Sequence, residues 1–281
     1  MSAGETSSLI APWQPLPAPS AERSRLLRSL SIPPNSIALW FLGQNGFIAK
    51  TPEGTLLAID PYLTNSCAAL TNEFDLRRIV PVPLEPEDLD VDCIIFTHSH
   101  GDHLDIETLR RMSSLPQMVA PWDACEQLRR SGLALQQLHL FHPHQTIRVA
   151  DVTLEGAFAL PTDATDLNHM GVVLTLPSGL RFYNTGDTAY CASLGDLLPH
   201  GVHLCAICIN GGFNNLSHGD AAKIISAIAP EVVIPTHYDL MACNQGDPEM
   251  FRVALRNHKV SSHYQHMDRN HIYLYTMGQN A

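Results

Sequence analysis

Long apolar runs, clusters of positive charge and a regular cysteine framework are all missing from this 281-residue chain, and each absence removes a class of function. No stretch approaches the roughly 20 consecutive apolar residues of a membrane span, and the opening MSAGETSSLIAPW has neither a basic stretch nor a sustained apolar one. A soluble, cytoplasmic protein with no membrane partner is expected. Lys and Arg together number 17 against 28 Asp and Glu, a formal net charge of -11. A broad cationic face for a phosphate backbone is thereby excluded, and nucleic acid is not an expected partner. Seven cysteines at irregular spacings form no disulfide framework and suit a reducing compartment. Cys205 and Cys208 have the spacing of a redox or zinc pair, but they lie inside the apolar run Leu204 to Ile209 with no second pair, which reads as core. No internal repeat is visible.

What remains is an ordinary globular composition, 45% hydrophobic and 16% charged, with 15 histidines, nearly as many as all Lys and Arg together. Residues 1–35 read as a proline-rich arm with a short helix: Pro12, Pro15, Pro17 and Pro19 disfavour regular structure, then Ser20 caps a helix carrying Leu26, Leu27 and Leu30 on one face. Such an arm suits wrapping a neighbouring copy, so a homo-oligomer is an open expectation. Residues 36–281 read as one globular domain. Short β-rich runs follow one another from Ile37, then a buried strand from Cys93, helices over Asp105 to Met112 and Trp122 to Arg130, and a second group of strands from Thr146 to Asn210. Helices at Asp220 to Ile228 and Pro248 to Asn257 flank a strand ending at Pro235. Strands then helices, twice over, predict an α/β fold: an αββα sandwich of two mixed sheets with outer helices.

The chemistry concentrates in Thr97-His-Ser-His-Gly-Asp-His103, directly after the buried strand. Three imidazoles and a carboxylate cannot all enter a dry core, because each polar atom needs a partner. A sharp loop at a strand end can instead send His98 and His100 to one point and Asp102 and His103 to a neighbouring one. Imidazole and carboxylate suit Zn²⁺ or Mn²⁺, and two such ions roughly 3.5–4 Å apart activate a bridging water while polarising the bond to be cleaved. Four ligands do not fill two metals. Two further strand ends supply more: Tyr183-Asn-Thr-Gly-Asp187, where Gly186 permits a tight turn, and Val232-Val-Ile-Pro-Thr-His237. Asn210-Gly-Gly212 is either a flexible turn or a source of donors near a substrate oxygen.

In order and spacing, His98-x-His100-x-Asp102-His103, Gly186-Asp187 and His237 resemble the metallo-β-lactamase superfamily of binuclear metal hydrolases. Leu42-Gly-Gln-Asn-Gly-Phe47, Asp60-Pro-Tyr-Leu63, Thr185 to Tyr190 and Ile234 to Asp239 followed by Asn244 to Pro248 resemble the branch that contains L-ascorbate 6-phosphate lactonase, over about residues 37–276. That resemblance implies one or two Mn²⁺ or Zn²⁺ ions per chain. His98, His100 and Asp163 would hold one, with Asp163 in the place of the superfamily's usual histidine and His169 its competitor, otherwise facing substrate. Asp102, His103 and His237 would hold the other, and Asp187 would bridge. Asp102 would also orient the nucleophile or carry its proton, while His218 and Asn210 would contact a small-molecule substrate. The implied reaction opens a sugar-acid lactone, phosphorylated in that branch. The same site also supports phosphodiester hydrolysis, and a non-catalytic metal-binding or assembly protein on this scaffold is the rival from another class.

Overall fold

The computed structural model describes residues 10–278. Its first half runs β1 (Ile10–Pro15), α1 (Ser20–Ser29), β2 (Ser36–Gly43), β3 (Gly46–Lys50), β4 (Leu56–Ile59), β5 (Cys93–Ile95), α2 (Ile106–Arg111), β6 (Gln117–Ala120), α3 (Trp122–Arg130) and β7 (Leu138–Leu140). The second half runs β8 (Thr146–Val149), β9 (Val152–Phe158), β10 (Met170–Thr175), β11 (Arg181–Asn184), β12 (Leu204–Cys208), α4 (His218–Ile228), β13 (Val232–Thr236), α5 (Pro248–Asn257), β14 (His263–Tyr264) and β15 (His271–Thr276). They form one sheet in the order β1-β15-β2-β3-β4-β5-β6-β7 and another in the order β14-β13-β12-β11-β10-β9-β8. Both are mixed, as expected: β4 to β7 and β11 to β14 are parallel runs, and the remaining pairs are antiparallel.

The unbroken apolar run of β2 follows from burial on both faces. Ile37, Leu39 and Phe41 enter the core between the sheets, while Ala38, Trp40 and Leu42 pack with Leu27, Leu109 and Leu128 of the outer helices. The same two-residue alternation divides Leu57 and Ile59 from Leu56 and Ala58 in β4, and Cys93 and Ile95 from Ile94 in β5. Ala221, Ile224, Ile225 and Ile228 of α4 join the inter-sheet core cluster from the other side. Cys205 and Cys208 are buried, unpaired thiols of β12, and burial pushes Cys208 up to about 12.

The N-terminal segment differs from the sequence reading in two details. Ile10–Pro15 is a regular strand instead of irregular chain, paired antiparallel with β15 of the same protein. Prolines are tolerated because β1 is an edge, and its register shifts between Pro12 and Gln14. Residues 1–9 of the expected arm lie outside the described residues. Ser20 does not cap α1; Pro19 holds that position, and the Ser20 hydroxyl accepts the Glu85 backbone N–H at 2.8 Å.

Parallel neighbours end on the same side of their sheet, so the chain turns after β4, β5, β11 and β13 gather at one edge of the sandwich. A cross-sheet hydrogen bond from Met170 N–H to Thr97 C=O, 3.0 Å, fastens the start of β10 to the turn after β5. The candidate site is built there.

Candidate metal centre

His98 and His100 leave the end of β5 with His98 Nε2 and His100 Nδ1 3.0 Å apart. The His169 ring stacks on His98 at 4.1 Å between centroids, and its Nδ1 lies 3.2 Å from the Asp187 carbonyl oxygen. That contact turns His169 Nε2 inward, buried and without a hydrogen-bond partner. His98, His100 and His169 present nitrogens that all lie within 4.8 Å of one another.

Asp163 is not part of this group, a correction to the sequence reading. Its Oδ1 is engaged in a local turn, accepting the backbone N–H of Thr165 at 2.7 Å and its hydroxyl at 2.6 Å. Its Oδ2 lies 3.4 Å from His100 Nε2, the nitrogen opposite the one facing His98. Asp163 therefore stands behind His100. The Pro-Thr-Asp stretch is a turn former, and β10 carries His169 into the position instead.

A second group adjoins the first. Asp102, His103 and His237 offer ligand atoms within 4.8 Å of one another. His103 Nε2 is 3.4 Å from Asp187 Oδ1, and His237 Nε2 is 3.2 Å from both Asp102 Oδ2 and Asp187 Oδ2. Both Asp187 carboxylate oxygens thus face the second group, Oδ1 buried and without a hydrogen bond, while its backbone carbonyl oxygen meets His169 of the first. Gly186 makes this reach possible: its φ is +59°, and a Cβ there would stand 2.8 Å from the Met170 carbonyl oxygen.

Burial pushes His98 well below the usual histidine range, an effect deepened by the neighbouring imidazoles of His103 and His169. At His103 burial acts downward too, but Asp187, Asp102 and Asp60 outweigh it and hold the ring well above that range. His237 behaves likewise, the carboxylates of Asp187 and Asp102 overcoming burial to raise it to about 9. Asp102 and Asp187 are held below the ordinary carboxylate range, since the facing histidines overcome the cost of burial.

Four positioning residues went unassigned in the sequence reading. Asp60, left-handed at φ +42°, accepts His103 Nδ1 at 2.8 Å, the Thr97 hydroxyl at 2.6 Å and Asn45 Nδ2 at 2.7 Å. Gln44, at φ +54° in the two-residue turn between β2 and β3, donates to Asp102 Oδ2 at 2.7 Å and accepts the His237 N–H on its carbonyl at 2.6 Å. Asn215 donates to Asp187 Oδ2 at 2.6 Å, and the Asn244 amide lies 3.0 Å from His237 Nδ1. Backbone strain collects at this site, since His237 also has φ +61°. Gln44, Asp60 and Asn244 lie in the motifs quoted for the resemblance, but neutral amides and a turn aspartate carry no metal-ligand spacing, so only these contacts give them a role.

A cavity of about 210 Å³ opens over the cluster, lined by His100, Asp102, Asp187 and His237, the amides of Gln44, Asn215 and Asn244, and an apolar wall. His218 and Asn210, expected to contact substrate, are not among its lining residues. His218 instead opens α4, and Asn210 donates to the Gly212 carbonyl at 3.2 Å, closing its own turn.

The residues fit a pair of divalent ions. His169 Nε2 is buried without a partner, and His103 Nε2 and Asp187 Oδ1, 3.4 Å apart, are buried and make no hydrogen bond; all three belong to imidazole and carboxylate side chains that converge from turns far apart in sequence. Leaving such atoms unpaired costs about 1–3 kcal/mol each unless a ligand takes them up.

The profile of the beta-lactamase superfamily domain matches residues 57–238. A UPF0173 metal-dependent hydrolase of Polynucleobacter asymbioticus is 28% identical over 241 residues, 79% of this chain and 81% of its own length. Another from Archaeoglobus fulgidus is 28% identical over 77% of this chain and 89% of its own. Among solved structures, a metallo hydrolase from Ignicoccus hospitalis superposes with a TM-score of 0.66 at 19% identity, covering 86% of this chain and all of that one.

Proposed function

Since the chain belongs to the beta-lactamase superfamily and is a metal-dependent hydrolase, we propose that it cleaves a carboxylic ester closed into a ring, a lactone, at the two-group centre. The observation that carries this reading is the convergence of His98, His100 and His169 beside Asp102, His103 and His237, with Asp187 between them, under a cavity of small-molecule size. The likeness of its motifs to a lactonase branch supports the ester over a phosphodiester.

His98, His100 and His169 would hold one ion, Asp102, His103 and His237 a second, with Asp187 shared. Three imidazoles in the first group, where a carboxylate was expected, favour Zn²⁺ over Mn²⁺. Ions bound there lower the pKa of a coordinated water and polarise a carbonyl. The chain's own residues do the remaining work. Asp102 faces the cavity with Oδ2 held by Gln44 and, kept ionised by the facing histidines, would orient the nucleophilic water. Asp60 fixes the His103 ring through Nδ1 so that Nε2 points to the centre, and Asn215 orients Asp187. In the overall step a water oxygen bonds to the acyl carbon, the ring C–O bond breaks and the ring oxygen takes a proton, giving a hydroxy acid.

Steady-state assays of Zn²⁺- and Mn²⁺-loaded protein on γ-butyrolactone and on bis(4-nitrophenyl) phosphate test this. The lactone should give the higher kcat/KM. A faster diester would move the reading to a phosphodiesterase, and no turnover of either by fully loaded protein would favour the non-catalytic alternative.

A further inference from the structure

We infer that the substrate of this site carries an uncharged apolar substituent, in place of the phosphate found in the lactonase branch that the motifs resemble; the inference rests on the ester-hydrolase reading. It comes from the walls of the cavity. Opposite the histidines and carboxylates stand Leu70, Phe74, Leu76, Phe213 and Met241, and no Lys or Arg is among the lining residues. Arg78 is not among the lining residues; its guanidinium donates to the Tyr62 carbonyl at 2.9 Å and lies over the Tyr62 ring, with Nε left unpartnered. A phosphate or carboxylate at the far end of the substrate, away from the ions, would find the Asp163 carboxylate in the lining and no Lys or Arg to pair with.

The apolar wall is an assembled feature. Leu70, Phe74 and Phe213 are 64%, 49% and 45% exposed, large apolar side chains held at the rim of a polar centre. Phe74 and Phe213 come from two separate loops and meet edge to face, centroids 5.2 Å apart at 82°. Phe213 and Asn214 both have left-handed backbone, φ +53° and +61°, a conformation that is costly for a bulky residue. The turn is held by the Asn214 amide, which donates to the Thr162 carbonyl at 2.7 Å, and by Asn215 N–H to the Gly212 carbonyl at 2.9 Å. A strained turn that presents an exposed phenyl ring over a metal-type centre has a physical reason only if the ring is covered in use. The cavity's about 210 Å³ lies below the ~300–1,000 Å³ typical of drug-sized ligands, so a short alkyl substituent such as butyl suits it.

The test pairs binding with turnover on Zn²⁺-loaded protein. Calorimetry with acetate, hexanoate and adipate reads the wall without chemistry: hexanoate should bind at least about tenfold tighter than acetate, each buried methylene giving up to about fourfold. Adipate, the same length with a terminal charge, should lose that gain. In parallel, the 4-butyl derivative of γ-butyrolactone should exceed the parent in kcat/KM by a similar factor, and a terminal carboxylate on the butyl chain should abolish the advantage. Phe213→Ser should shrink both ratios toward unity, with circular dichroism and zinc content confirming the fold. Equal binding of the three acids, or faster turnover of the charged lactone, would overturn the inference. Tight hexanoate binding without hydrolysis of any lactone would leave the inference standing and overturn the ester-hydrolase reading instead.

Discussion

Asp60 receives hydrogen bonds from the Thr97 backbone N–H, the Thr97 hydroxyl, Asn45 and His103, and so decides which nitrogen of His103 is free for a ligand. Replacing it with Asn removes the charge that orients and strengthens the ring, and metal affinity should fall about 10–100-fold. Competition against a chelator would measure this, and an unchanged affinity would mean that the Thr97 contacts alone hold the loop. His169 and Asp163 are separated by the same reasoning. His169→Ala should cost the protein about one equivalent of Zn²⁺, whereas Asp163→Asn, which alters a turn behind His100, should retain its metal; elemental analysis after gel filtration reads both. Loss of zinc only in the aspartate variant would restore the ligand set implied by the lactonase resemblance. This stretch shows where sequence reading stops: both residues are polar, both precede β10, and only the Asp187 carbonyl contact and the Thr165 turn distinguish their directions.

At the scale of elements, the turn after β11 is the most exacting. Gly186 has positive φ, and a Cβ there would meet the Met170 carbonyl oxygen and stand 2.9 Å from Thr97 Cβ, so Gly186→Ala should destabilise by roughly 1–3 kcal/mol and displace Asp187. Urea unfolding would show it as a lower midpoint with an unchanged slope, and a shift within error would mean that the turn relaxes freely. That glycine was legible only beside the His98–His103 cluster, because a Gly-Asp turn after an apolar strand is by itself more often an ordinary turn. The helices α3 and α5 were legible over their full lengths, since their apolar spacing and proline starts agree. Strand β1 was not legible, because prolines argue against a strand until the edge position is known. Strands β7, β14 and β15 were equally hidden: the first two are only three and two residues long, and β15 finds its place between β1 and β2, which no local pattern reveals.

Across the whole molecule, the metal ions and protons compete for the same buried histidines. His237 titrates near 9 and His103 higher than usual in the metal-free protein, against about 6.5 for an unfolded histidine. A raised folded pKa contributes stability that is complete below about pH 6.5 and is lost as pH rises through about 9. The chelated protein should therefore show a falling Tm over that window, while Zn²⁺, which binds deprotonated ligands, should stabilise more strongly as pH rises. Parallel melting curves with and without zinc check this, and two curves of constant separation would contradict it. The same competition frames the central claim, that side chains from the turns after β5, β11 and β13 and from the start of β10 make one two-ion centre. Anomalous diffraction at the zinc edge from zinc-loaded crystals tests it most directly. Two peaks roughly 3.5–4 Å apart are predicted, one touched by His98, His100 and His169, the other by Asp102, His103 and His237, with Asp187 on both. A single peak, or a peak ligated by Asp163 in place of His169, would contradict the account.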